Sequence, residues 1–76
     1  MNSYFNNTRI AAIVTVKVES SNQPDQALHL AEPGDDKVMD PVKATSGYHD
    51  VYVGPGKELR VAEGTVATFI AVRSGQ

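Results

Sequence analysis

The segment Tyr48-His49-Asp50-Val51-Tyr52 holds the densest set of chemically capable side chains in this sequence. Read as a strand, it sets Tyr48, Asp50 and Tyr52 in one row about 6.5–7 Å apart, because successive side chains point to opposite faces. Two tyrosines flanking a carboxylate suit recognition of a sugar or a peptide: the rings stack and Asp50 accepts hydrogen bonds. The same row also serves as the solvated outer face of a sheet, where tyrosine is simply a good strand former. If any surface here takes a ligand, these three residues are the first candidates.

Other constellations carry less. His29 and His49 are the two histidines, and there is no cysteine. A zinc site would need four converging ligands, and this pair shows no recognisable spacing. The serines stand in turn-like segments, none of them in a nucleophile elbow, while His29 lies in a short strand and His49 begins another. Glu32, Asp35, Asp36 and Asp40 gather four of the nine carboxylates into one short stretch. They lack the alternate positions and closing glutamate of a calcium loop. A solvated turn accounts for them, one that adds solubility and steers a basic partner at low salt. Gly54-Pro55-Gly56-Lys57 fails as a phosphate loop, since the glycine span is short and Glu58, not Ser or Thr, follows the lysine. The sequence thus offers no catalytic residue, no metal site and no cofactor site. An enzyme is the least supported class, because so short a chain lacks the bulk to enclose a pocket of about 300 Å³ or more.

The chain has 76 residues, enough for one domain. A domain of this size buries only about 60% of the surface its unfolded chain exposes. Short domains often draw added stability from disulfides, metals or self-association. With no cysteine, self-association is the reinforcement left, though many domains of this length fold alone. Seven Lys and Arg stand against nine Asp and Glu. This is not the basic excess of a nucleic-acid binder, in which phosphate neutralisation supplies most of the affinity. Arg9, Lys17, Arg60 and Arg73 are the candidates for any basic patch. No apolar run approaches the roughly 20 residues that span a bilayer, and the polar start is not a secretory signal. The expectation is a protein made in the cytoplasm, or a virion component made there.

Positioning falls to strands. Residues 1–7 contain three asparagines and a serine and read as a flexible arm, with Tyr4 and Phe5 as docking aromatics. Ile10 to Glu19 alternates, with Ile10, Ala12, Val14, Val16 and Val18 on one face and Thr15, Lys17 and Glu19 on the other. Ser20 to Asp25 is a loop, and Gln26 to Glu32 a short strand. Pro33 to Asp36 turns, Lys37-Val38-Met39 is a strand or bridge ending before Pro41, and Val42 to Ala44 resumes an edge. The C-terminal half reads as a three-stranded meander of 48–53, 57–62 and 65–73, joined at Gly54-Pro55-Gly56 and Glu63-Gly64. About six short antiparallel strands and no amphipathic helical window predict an all-β domain over residues 8–76, a small sandwich or barrel. The expected core is Val14, Val16, Val18, Leu28, Leu30, Val38, Val51, Val53, Leu59, Val61, Val66, Ile70 and Val72.

The last strand stands out because it is apolar or small on both faces. With Val66, Ile70 and Val72 assigned inward, Ala67, Phe69 and Ala71 form an outer stripe, and the strand is either central or keeps a second surface for a partner. This leads to a non-enzymatic structural or interaction protein that self-associates or docks onto a larger assembly. Tyr4, Phe5, Ala67, Phe69 and Ala71 are its expected interface, with Phe69 as anchor of a two-fold contact. Phe69→Asp separates the options: an interface role predicts a folded monomer, a core role a loss of folding. The alternative function is a ligand-binding module using Tyr48, Asp50 and Tyr52. A third reading is a small inhibitor or adaptor that covers another protein's site.

Overall fold

Strict alternation along the first long run produces the longest fully embedded strand of the molecule. Ala12, Val14, Val16 and Val18 are buried, while Ile13, Thr15 and Lys17 on the other face are half-buried. The computed structural model describes residues 3–32 and 38–75. Its elements are β1 (Ser3–Phe5), β2 (Ala12–Ser21), a single 3-10 turn (Pro24–Gln26), β3 (Leu28–Ala31), β4 (Val38–Val42), β5 (Gly47–Val53), β6 (Glu58–Val61) and β7 (Thr65–Ser74). They form two antiparallel sheets, one ordered β1-β6-β3-β4 and the other β5-β2-β7. The all-β class holds, with the sandwich as its form.

The inner faces meet around Val14, Val16 and Val18 of β2, Leu28 of β3, Val51 and Val53 of β5 and Leu59 of β6, joined by Ala27 and Ala44. Leu30 and Val61 pack against this cluster half-buried. Of the expected core, Val66, Ile70 and Val72 are corrected: they are 57%, 51% and 47% exposed. The side chain of Val38 lies outside the described residues, as do residues 33–37, on which the expected turn with Asp35 and Asp36 falls.

The meander is also corrected. Strands stand near each of its three positions, and Gly56 and Gly64 turn the chain with φ of 75° and 82°. Yet β5 and β7 flank β2 in one sheet while β6 lies between β1 and β3 in the other. Both turns cross from sheet to sheet instead of closing hairpins. The partners that decide this are distant in sequence. Asn6 brackets the first turn, donating its amide to the Lys57 carbonyl (2.9 Å) and accepting from the Gly56 amide (2.8 Å). Ala62 donates to Ala27 (2.9 Å), extending the β3–β6 ladder. Glycine and proline signal where a chain reverses, not which sheet the next strand joins.

Within the segment expected to be an arm, Ser3–Phe5 form β1 and pair with β6 at the end of the four-stranded sheet. Tyr4 sits opposite Leu59 and turns inward, while Ser3 and Phe5 sit opposite Arg60 and Glu58. Asn6 follows, fully buried. Its Nδ2 donates to the carbonyls of Ile10 (2.9 Å) and Val53 (3.0 Å). Its Oδ1 accepts from the Thr8 amide (3.1 Å) and hydroxyl (2.6 Å). Both ends of the amide are therefore satisfied, which a buried polar group requires. Ile10, expected within the strand and on its inner face, precedes β2 and is exposed.

Candidate functional site

Two surfaces stand out, both on the three-stranded sheet. The first is its outer face. Pairing sets Lys17 between Tyr48 and Thr68, Thr15 between Asp50 and Ala71, and Ile13 between Tyr52 and Arg73. Directly opposed residues share a face, so Tyr48, Asp50 and Tyr52 do form one row. The tyrosines stand clear of the surface, 67% and 61% exposed. Lys17 Nζ lies 5.8 Å from the Tyr48 ring centroid, within cation–π range, and 3.3 Å from Glu19.

Asp50 is already engaged. The Thr15 hydroxyl donates to Oδ1 (2.7 Å) and Arg73 Nη2 to Oδ2 (3.1 Å), while Arg73 Nη1 donates to the Thr15 hydroxyl (3.3 Å). The Thr15 hydrogen bond, then that from Arg73, holds the carboxyl below the usual carboxylate range. This chain of contacts runs across all three strands and links the edge strands β5 and β7. Its effect is to hold the carboxylate between two exposed aromatic rings.

The second surface is the edge formed by β7. This strand ends its sheet, with β2 as its sole strand partner among the described residues. It runs for ten residues without glycine or proline, and Arg73 is its one charge. Here the expected facing is inverted before Ile70, where Ala67 and Phe69 turn inward, and kept after it, where Ala71 faces outward and Val72 inward. Val16 opposes Phe69 and Val14 opposes Val72, with one extra residue, Ile70, between them. Because the opposed valines are fully buried, Ala67, Phe69 and Val72 take the inner side. Ala67 and Phe69 pack half-buried against the core, so they are no outer stripe. Ala71 opposes Thr15 on the outer side and is exposed. A one-residue change of register flips every side chain, and a strand small or apolar on both faces gives no pattern from which to read it.

Opposite this edge stands β1, only three residues long. The sandwich is left open along the seam between them, in a cleft of about 330 Å³ lined by Tyr4, Phe69, Ile70, Ala71 and Val72. It continues past Tyr4 and Val72 toward Thr8 and Ile10. Phe5, on the outer side of β1, is exposed. Of the expected interface residues, Tyr4 and Phe69 therefore meet at the cleft with Ala71 at its rim, while Ala67 and Phe5 lie apart from it.

The remaining candidates do not converge. His29 is on β3 and His49 on β5, in different sheets, and His49 Nε2 lies 2.6 Å from the Thr45 carbonyl. Lys57 pairs with Glu32 at 2.6 Å. Among the described residues, no three His, Asp or Glu side chains come together, and no helix is long and apolar enough to cross a membrane. Asn6 is the residue that the sequence reading missed; an asparagine among asparagines carries no signal of burial. Compared with protein-family models, curated proteins and solved structures, the chain matches none.

Proposed function

We propose that this protein is a non-enzymatic interaction domain that joins a neighbouring chain by adding a strand at β7. The exposed β7 edge carries this reading. Natural sheets guard their edges with short strands, proline, charge or bulges. In this molecule β1 is three residues long, β4 contains Pro41, and β5 carries Asp50 between its tyrosines. β7 has a bulge at Ile70 but is long and nearly uncharged, and Val66, Ile70 and Val72 are about half exposed. A free edge beside an apolar cleft suits strand addition, where main-chain hydrogen bonds supply affinity and the cleft takes alternate side chains.

The test titrates a ten-residue synthetic strand of alternating Val and Thr into dilute protein, followed by backbone amide shifts. Shifts should centre on residues 65–73 and be absent in Val72→Lys, with the rest of the spectrum unchanged. Shifts confined to β5, or none at all, would overturn the reading.

The outer face supports a second reading, a module for a sugar or peptide. Its supporting observation is that Asp50, hydrogen-bonded to Thr15 and Arg73, stands between two exposed tyrosines, an arrangement that lowers the ordering cost of binding. Tyr52→Ala should then abolish saturable binding on a glycan and peptide array while leaving the circular dichroism spectrum unchanged. An array that shows no saturable ligand ends this reading.

A further inference from the structure

We infer that the strand added at β7 is β7 of a second copy, paired antiparallel about a two-fold axis between Ile70 and Ala71. This deepens the edge reading above and rests on it. The side-chain directions select the register. Inner positions are Ala67, Phe69 and Val72, with Ser74 opposite the buried Ala12; outer positions are Thr68, Ala71 and Arg73. Opposed residues in a sheet must share a face. An axis between residues 70 and 71 satisfies this along the strand: Phe69 meets the second copy's Val72, Val72 meets its Phe69, and Thr68 meets its Arg73. An axis through Phe69 fails, because the bulge would then set inner Ala67 against outer Ala71. In the selected register the two bulges lie opposite one another, so each supplies the extra residue that the other requires.

The chemistry favours a like partner. Whatever pairs with β7 needs a strand of equal length, nearly free of charge, with apolar residues facing Phe69 and Val72, and β7 itself has those properties. The two Arg73 residues come to lie about 17 Å apart, five residues of stagger at about 3.4 Å each. That exceeds the screening length of about 8–10 Å at moderate salt, and each arginine keeps its own Asp50. A net charge of −2 adds little repulsion between copies. The molecule extends 33 Å along its longest axis and 18 Å along its shortest. Pairing over the ten residues of β7 would run about 34 Å, comparable to that longest extent. The product is a six-stranded sheet, β5-β2-β7-β7-β2-β5, with Val72 covered by Phe69 of the second copy.

The absence of cysteine makes the register directly testable by single cysteines in the full chain. In the proposed pair the two Ala71 Cα atoms lie about 6 Å apart, within disulfide reach, and the two Thr68 Cα atoms about 17 Å apart, beyond it. Ala71→Cys should give a disulfide-linked dimer under mild oxidation, while Thr68→Cys stays unlinked. The wild type should dimerise by light scattering across a hundredfold concentration range, and Val72→Lys should weaken this about tenfold or more, with an unchanged circular dichroism spectrum. A dimer that links at Thr68 and not at Ala71 overturns the register. A monomer at every concentration that still binds the synthetic strand at β7 overturns the second copy and leaves the edge reading standing. A monomer that binds no strand, or a dimer indifferent to Val72→Lys, overturns both.

Discussion

Replacing Asn6 by alanine should be among the most costly single changes outside the aliphatic core. Asn6 is 0% exposed, and its side chain makes four hydrogen bonds, to the carbonyls of Ile10 and Val53 and from the amide and hydroxyl of Thr8. The truncation does not strand all four partners. The Ile10 carbonyl lies 2.8 Å from the Thr8 hydroxyl, whose single proton the truncation frees from Asn6 Oδ1 to serve it, and Thr8 is exposed enough for water to serve its amide. The Val53 carbonyl, opposite Ala12 in the β2–β5 ladder, loses its side-chain donor in a buried setting, at a cost of about 1–3 kcal/mol, and the missing amide leaves a void worth roughly 1 kcal/mol more. The total, about 2–4 kcal/mol, compares with an overall stability of roughly 4–11 kcal/mol for a domain of this length. Thermal and urea unfolding followed by circular dichroism would show it as a fall in Tm of about 10–30 °C. Asn7→Ala, at an exposed neighbour, should stay within about 0.5 kcal/mol of wild type. Asn6→Asp should lose at least as much as alanine, since a carboxylate accepts but cannot donate to two carbonyls. An Asn6→Ala protein within about 0.5 kcal/mol of wild type would refute the reasoning, because it would mean that the side-chain amide does not tie this segment to the end of β5.

Further expectations concern the three-stranded sheet and its turn. Phe69→Asp should unfold the domain, as its ring packs on the core from the inner side, whereas Ala71→Asp should remain folded; circular dichroism separates them, and a folded Phe69→Asp monomer would restore the outward assignment. The folded-state pKa of Asp50 lies below its unfolded value, so the stability it contributes is complete above about pH 4 and is lost as pH falls through the folded value. The stability difference between wild type and Asp50→Asn should therefore shrink in acid, and Thr15→Val or Arg73→Ala should each raise the carboxyl pKa seen by NMR; a difference constant from pH 2 to pH 7 would contradict this. Gly64→Ala should cost about 1–2 kcal/mol in urea unfolding, because φ is 82° and the new methyl would press on the Asn22 side chain; an unchanged midpoint would show that this turn relaxes freely.

The parts of this molecule legible in the sequence are those set by local chemistry. Valine at every second position from Val14 to Val18 specifies a strand with one buried face, and Tyr48, Asp50 and Tyr52 share a face because side chains alternate along any strand. Gly56 and Gly64 mark reversals, since their positive φ values suit glycine. What escaped the sequence depends on partners far along the chain. The facing of β7 follows from its pairing with the buried valines of β2 and from the extra residue at Ile70; with small or apolar residues on both sides, its own pattern fits either choice. The division of β5, β6 and β7 between two sheets follows from contacts at Asn6 and Ala27, remote in sequence from the turns they direct. Burial of Asn6 is likewise a tertiary result, because an amide enters a core only where donors and acceptors from several segments meet it. Local sequence determined where strands run and turn; the long-range hydrogen bonds that satisfy buried backbone decided which strands are neighbours and which edge remains open.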